Sequence, residues 1–309
     1  MDWLAIAIAA YLILAVVNLA DKFLLENVVP SAKTYTFLVG AMGLIVIVIA
    51  PWFLTWPGVS LLLGNLLVGA LFPGALLLLY RSLKIGDASK IIPLIGGVVP
   101  IFTILLAYLF LGERFLTMQW VAIIYLLLGT VMLAYLPASN TLWSKMLHWF
   151  GLKGTKNKTA VITAIAAGIV FAIFFVGSKF LYDSQPFLSS FIWIRIGTFL
   201  ATLSLLIPRK VRKEIFHGLK SLKHKNSALF FSNQGIAAIG FLLQNYAIFL
   251  GSVAIVNALQ GVQYAFLLVL GGLISAFFPK LLKENVSKMI IIQKILAVIL
   301  ISMGLYFII

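Results

Sequence analysis

The chain has 309 residues, of which 63% are hydrophobic and only 10% charged, with a mean hydropathy of +1.13. A soluble domain is about 45–50% apolar and about 25% charged. No water-facing shell covers this much apolar surface, so a soluble globular fold, a disordered chain and a basic nucleic-acid binder are all excluded. What remains is a polytopic membrane protein. Cysteine is absent, so there is no disulfide framework, no thiolate nucleophile and no Cys-based metal site.

A bilayer core about 30 Å thick takes about 20 apolar residues in a helix. Runs of that kind fall at 3–25, 34–54, 59–80, 88–110, 116–136, 159–182, 187–207, 228–249, 252–278 and 289–309. The runs are continuous, with no period of two, which disfavours a β-barrel. The expected fold is therefore an all-α integral membrane protein of ten transmembrane helices. The first run is long, is followed by Asp21-Lys22 and has no small-residue cleavage site, so it reads as a span and not as a cleaved signal. The fourth carries Pro93, Gly96, Gly97 and Pro100 and is expected to be broken, packing closely or unwinding locally. Two connections are long and basic. Residues 138–158 hold Lys145, Lys153, Lys156 and Lys158 with Trp143, Trp149 and Phe150. Residues 208–227 hold Arg209, Lys210, Arg212, Lys213, Lys220, Lys223 and Lys225. In the second, Val211, Ile215, Leu219 and Leu222 share one helical face, the pattern of an amphipathic helix on the membrane surface.

The chain repeats itself. At an offset of 157 residues, 7–51 align without a gap on 164–208. Lys22-Phe23-Leu24 meets Lys179-Phe180-Leu181, Gly40 meets Gly197 and Pro51 meets Pro208; further on, after a small insertion, Gly86 meets Gly251 and Gly96 meets Gly261. This divides the chain into a five-helix repeat at 1–137, a connecting loop at 138–158 and a second five-helix repeat at 159–309. Five is odd, so the second repeat must enter the membrane from the opposite side. Inverted repeats of this kind are a transporter design with the substrate site at mid-membrane.

The stretch Tyr80-Arg81-Ser82-Leu83, Gly86-Asp87-Ala88-Ser89, Pro93-Leu94, Pro100, Leu111-Gly112-Glu113-Arg114, Gln119-Trp120 and Gly129 resembles the repeat of EamA-type permeases of the drug/metabolite transporter superfamily. The second half is a degenerate copy, with Lys283-Glu284-Asn285 standing near where Gly112-Glu113-Arg114 does. The resemblance implies a ten-helix carrier of small metabolites. Its central cavity would be lined by the first, third, fourth, sixth, eighth and ninth spans. It leaves the substrate open, across amino acids, nucleotide sugars, phosphorylated sugars and drugs.

Nineteen of the 23 Lys and Arg fall at the odd-numbered loops, and only Arg114 and Lys179 at the opposite face. By the positive-inside rule the odd-numbered loops are cytoplasmic and both termini face outward. The family resemblance implies the reverse. The basic face would also meet anionic lipid headgroups.

Arg195 sits near the middle of the seventh span, where a charge costs at least a few kcal/mol. Its repeat mate is Leu38, so symmetry does not demand it. It either receives an anionic group of a substrate or is a structural charge that pairs or snorkels. Tyr11, Asn18 and Lys22 share a face of the first span with Ala15; Asn257, Gln260 and Tyr264 repeat that pattern in the ninth. Asn233, Gln244 and Asn245 lie in the eighth span, and Asn65 and Tyr80 in the third. Singly, each reads as glue between helices at roughly 0.6 kcal/mol per bond; as a set they read as the lining of a wet cavity. Lys22 and Lys179 are repeat mates on opposite faces, and are either gate residues or snorkelling anchors. Glu113 and Arg114 read as an ion pair fixing the turn between the fourth and fifth spans, and Lys294 as a snorkelling side chain.

No acid lies at mid-span, so coupling through a deep carboxylate, and proton-driven export of cationic drugs by that means, are disfavoured. Asp21 is the best placed of the acids for such a role. His148, His217 and His224 lack metal-ligand spacing, and neither a phosphate-cradling GxxxxGK[ST] loop nor a GxSxG elbow is present. The expectation is a non-enzyme: a secondary transporter of a small polar, zwitterionic or anionic metabolite in the cell membrane. No cofactor, no metal and no nucleic-acid partner is expected, and a monomer and a homodimer are both open. The alternatives are a flippase of lipid headgroups or lipid-linked substrates, and a multidrug exporter of the same superfamily.

Overall fold

A computed structural model of the chain describes residues 2–28, 31–85, 88–134, 158–221, 224–277 and 288–308. Among these residues all regular structure is helical, and helix occupies each of the ten apolar runs. The helices are α1 (Asp2–Asn27), α2 (Ala32–Met42), α3 (Ala50–Phe53), α4 (Val59–Ile85), α5 (Ala88–Leu106), α6 (Thr117–Ala134), α7 (Lys158–Ser184), α8 (Phe187–Ser204), α9 (Arg209–Ser221), α10 (His224–Leu250), α11 (Val253–Ala258), α12 (Gln260–Phe277) and α13 (Lys288–Ile308). Six segments of the described chain are long and apolar enough to cross a bilayer on their own: Asp2–Asp21, Ala32–Phe53, Val59–Ile85, Leu94–Leu111, Lys158–Ser184 and Phe187–Ser204. The connecting loop 138–158, apart from Lys158, lies outside the described residues, as do Gly86, Asp87 and Lys283-Glu284-Asn285. The side chains of Lys22, Lys90, His224 and Lys294 lie outside them too.

Two runs differ in detail from expectation. The second is not one α-helix: a 3₁₀ segment, Gly43–Ile49, joins α2 to α3. Five successive β-branched residues (Ile45 to Ile49 with Val46 and Val48) resist the α-helical rotamer, and Pro51 has no N–H to give the Ile47 carbonyl. That carbonyl accepts instead from Ala50, three residues on. The fourth run is not broken at its prolines and glycines. α5 runs through Pro93 and Pro100, and the departure comes later, as a π-turn at Ala107–Leu111. Gly112, at φ 68°, ends it in the left-handed conformation that a side chain would penalise, its N–H returning to the Ala107 carbonyl.

α9 is the amphipathic helix expected between the seventh and eighth runs, but its apolar face is turned to the protein. Ile215 is fully buried, and a Cβ at Gly218 would fall 2.7 Å from Thr34 Oγ1, so α9 lies directly on α2. The Glu214 carboxylate fastens it there, accepting from Ser31 Oγ and from Lys33 Nζ, each at 2.7 Å. The Lys33 ammonium and the Ser31 hydroxyl hold the Glu214 carboxyl below its ordinary value of 4.5.

The main packings are α4 against α7 and α8, α1 against α10 and α12, α5 against α7, and α6 against α13. Apolar side chains gain nothing by leaving lipid for a neighbouring helix, so close backbone approach must supply the contact. A Cβ at Gly69 of α4 would sit 2.1 Å from the Ile194 carbonyl of α8, and one at Gly197 of α8 would sit 2.6 Å from the Leu66 carbonyl. Thr198 Oγ1 donates to the Gly69 carbonyl at 3.0 Å across this seam. Gly129 of α6 and Gly304 of α13 serve the α6–α13 seam in the same way.

The Gly69→Val variant must push backbone from backbone, an overpacking cost of about 1–3 kcal/mol or more. Its melting temperature in detergent should fall well below that of the unsubstituted chain, whereas Gly74→Ala, with open space around its Cβ, should melt unchanged. The Glu214 clasp has a folded-state pKa below its unfolded value. Its contribution is therefore present above pH 4.5 and is lost as pH falls through the depressed value. A spin label at Phe216→Cys, unique in a chain with no other cysteine, should gain mobility on acidification below 4.5. In Glu214→Gln it should be mobile at every pH.

Candidate polar core of the helix bundle

Arg195 is 7% exposed on the inner face of α8. Its guanidinium carbon lies 4.0 Å from the ring centre of Phe241 (α10), 5.2 Å from that of Phe72 (α4) and 5.3 Å from that of Phe191 (α8). Phe174 of α7 closes the cluster behind Phe72, with ring centres 5.1 Å apart. Where the 3₁₀ segment passes, a Cβ at Gly43 would sit 3.4 Å from Nη1. Among the described residues no carboxylate pairs with Arg195 and no acceptor takes a hydrogen bond from it. Burial at mid-helix costs about 2.5–3.5 kcal/mol. A desolvated cation–π contact returns about 2 kcal/mol, and two longer ones add to it. The ring faces thus keep the charge without a counter-ion and leave its five N–H donors unspent.

A second polar group adjoins this cage along α10. Gln244 is three residues from Phe241, on the same face. Its Nε2 reaches Tyr11 Oη of α1 at 3.5 Å, and Tyr11 donates to the Val256 carbonyl of α11 at 2.6 Å. The next residue, Asn257, is 2% exposed, and its Nδ2 is buried without an acceptor. The interrupted ninth run places this residue here, since α11 ends at Ala258 and α12 begins at Gln260. Tyr264 of α12 lies over α5, where a Cβ at Gly96 would meet its hydroxyl at 2.3 Å. Gln260 is half-buried beside it in sequence, and Asn18 is exposed.

The remaining expected cavity residues pair between helices. Asn65 accepts from Ser190 Oγ at 2.9 Å and donates to the Leu61 carbonyl, holding α4 to α8. Asn245 accepts from Tyr182 Oη at 2.9 Å, holding α10 to α7. Tyr80 packs edge-on against Tyr35, and Asn233 donates to Asp21 at 2.7 Å. Thus Gln244 bonds Tyr11, Tyr11 bonds the carbonyl next to Asn257, and Arg195 lies against Phe241, one turn before Gln244 on α10. Asn65 and Asn245 act as interhelical bonds, and Tyr80 and Asn233 belong to a separate cluster around Asp21.

At the even-loop end, Lys179 Nζ lies 2.8 Å from Asp183 Oδ1 and donates to the Phe249 carbonyl at 3.0 Å, tying α7 to the end of α10. Lys22, its repeat mate, has no described side chain. Glu113 does not pair with Arg114. Its carboxylate accepts from Ser252 Oγ at 2.6 Å and from the Val253 N–H at 3.2 Å, so it caps α11 across the two halves. Arg114 turns the other way, donating to the Tyr108 carbonyl at 2.9 Å and covering the Tyr108 ring. The pull of a helix N-terminus on a carboxylate, invisible in sequence spacing, decides that contest. Among the described residues no group of His, Asp and Glu is placed to hold a metal ion.

The model of the EamA-like transporter family matches residues 1–135, which covers α1 to α6. The first part of the chain is thus similar to an EamA-type transporter unit. The family transports solutes and is not one of enzymes. No curated protein matches the chain. One solved crystal structure is similar to this chain with a TM-score of 0.62 at 16% identity, covering 99% of this chain and 98% of its own. That likeness concerns the fold alone. It spans both halves, whereas the family match lies in the first.

Proposed function

We propose that this protein is an EamA-type permease, a secondary transporter that carries a small polar solute, zwitterionic or anionic, across the cell membrane by alternating access. Its frame is ten transmembrane helices in two inverted repeats, 1–137 and 159–309. The observation that carries the substrate class is Arg195, a buried cation held by three phenylalanine faces with its donors unspent. A carboxylate or phosphate entering the bundle would find there the charge-assisted, two-pronged contact that a guanidinium makes best. Asn257, with an amide donor that has no acceptor, and Gln244 with Tyr11 extend the polar face toward the neutral parts of a solute.

The packing supports the repeat. At the 157-residue offset α1 corresponds to α7, and α4 and α5 hold the places of α10 and of α11 with α12. Each packing then has its mirror: α1 on α10 with α7 on α4, and α1 on α12 with α7 on α5. The pairs α2–α8 and α6–α13 mirror themselves. Even the repeat mates Gly40 and Gly197 both stand at close approaches, to Thr202 and to Leu66. Two halves related in this way rock against each other around a shared centre, which is how an inverted repeat exposes one site to either side. At the even-loop end Lys179 with Asp183, and Glu113 with Ser252, are the contacts such a motion would break. Lys22 with Glu26 repeats the Lys179–Asp183 spacing at the opposite end.

Uptake into liposomes, screened over amino acids, sugar phosphates and nucleotides, tests the reading. Arg195→Ala should cut uptake of the anionic or zwitterionic solute by more than about tenfold, since a hydrogen bond to a charged group is worth about 1.5–3 kcal/mol. Its elution as a folded monodisperse protein should not change. Lipid flipping without flux of any solute would replace this reading with a flippase. The charge bias supports cytoplasmic odd-numbered loops. A reporter fused after Ile309 should accordingly be active only outside the cytoplasm, and cytoplasmic activity would reverse that orientation.

A further inference from the structure

We propose that Asp21 is a reversible proton-binding site whose charge state sets how tightly α10 is held to α1 and α2 at the odd-loop end of the bundle. The transporter reading supplies its purpose, but the geometry stands without it. Three side chains converge on this carboxylate from two other helices. Tyr35 Oη of α2 donates to Oδ1. Asn233 Nδ2 and Gln234 Nε2 of α10 donate to the same atom at 2.7 and 3.4 Å. Gln234 Nε2 also reaches Tyr35 Oη at 3.4 Å, closing the network. None of the described donors reaches Oδ2. Tyr80 of α4 and Phe230 of α10 wall the group in, each edge-on to the Tyr35 ring at 5.0 and 5.5 Å.

The described neighbours are all neutral. Among the described side chains, the titratable groups facing Asp21 are Tyr35 from α2 and Tyr80 from α4, and those of α10 that reach it are amides. No described Lys or Arg comes within ion-pair range. In this Asp21 differs from Asp183, Glu214 and Glu113. Asp183 has Lys179, Glu214 has Lys33, and Glu113 has the N-terminus of α11. An anion within a span and without a counter-charge is a costly group to keep. The arrangement fits a group that exchanges its charge. When a proton from water on this side binds Oδ2, Oδ1 becomes a carbonyl oxygen and still accepts from Tyr35 and Asn233, so neither state strands a buried donor. The difference is one of strength, because hydrogen bonds to a carboxylate are roughly twice as strong as those to a neutral acid. The deprotonated group draws the start of α10 onto α1 and α2; the protonated group lets it go, and returns the proton to water on re-closure.

The chain's lack of cysteine makes the test direct. Spin labels at Lys84→Cys on α4 and Ala228→Cys on α10, both exposed positions, report the opening of this end in proteoliposomes without any solute. The distance should increase on acidification along a one-proton curve. In Asp21→Asn it should stay at the acid-side value at every pH. Tyr35→Phe, which removes one donor to the charged form, should move the midpoint to higher pH, and it keeps the test alive should Asp21→Asn not fold. Glu214→Gln should leave the curve in place, separating this effect from the titration of the neighbouring clasp. The proposal is overturned by a pH-independent distance in the unsubstituted pair, or by an unchanged curve in Asp21→Asn. It is also overturned if tetramethylammonium, at constant pH, moves the distance in an Asp21-dependent way while protons do not, since the group would then be a cation site. Because no solute is present, failure here leaves the transport reading untouched, and absence of uptake leaves this one untouched.

Discussion

Within hydrocarbon a side-chain dipole has no water to turn to, and this constraint orders the described interior of the bundle. Polar residues in the spans must find each other or a backbone carbonyl. Asn65 finds Ser190, Asn245 finds Tyr182, Tyr11 finds the Val256 carbonyl, and Thr198 finds the carbonyl of Gly69. Each of these bonds crosses between helices, so satisfying the dipoles and assembling the bundle are one event. Two charged groups are held without an opposite charge among the described residues. Arg195 is held by ring faces in place of acceptors, and Asp21 by neutral donors in place of a cation. They are where the fold has kept charge that its own packing does not need.

Close backbone approach is the second half of the same constraint. Lipid competes evenly for Leu and Ile, so the glycines at the α4–α8 and α6–α13 seams decide which helices touch. They bring α8 near enough to α4 for Phe72 to reach the guanidinium of Arg195. The interruption at Leu259 in turn sets Asn257 beside the carbonyl that Tyr11 uses. Irregular backbone at this depth is tolerated only where protein surrounds it. The break at Leu259 lies among buried residues.

Much of the site was legible in the chain, though not its grouping. Arg195 stood out because a charge at mid-span is expensive wherever it points. Asn233, Gln244 and Asn245 were legible as one polar run on one helix. Spacing along α10 does not say that Asn233 serves Asp21, Gln244 serves Tyr11 and Asn245 serves Tyr182, because those partners lie on α1 and α7. Tyr35 and Gln234 escaped notice for the same reason. Each is unremarkable in its own helix, and only convergence on Asp21 gives it meaning. Glu113 was misassigned because Arg114 is its neighbour in sequence, whereas the α11 N-terminus comes near only in the fold.

By itself the sequence determined that this is a helical membrane protein, where its apolar runs lie, that a basic amphipathic helix follows the seventh of them, and that the first half resembles an EamA-type unit. These follow from composition, run length and periodicity, which are local quantities. The tertiary structure decided which face α9 buries, where the second and ninth runs lose α-helical geometry, and which polar groups pair across helices. It also decided that Arg195 rests on aromatic faces while Asp21 rests on neutral donors. The physical reason is that a membrane helix carries no hydrophobic instruction about its partner. Partner choice comes from glycine contacts and interhelical hydrogen bonds, and these exist only once two distant segments lie side by side. The chain's net charge of +15 says nothing of that interior, since nearly all of its Lys and Arg lie at the loops.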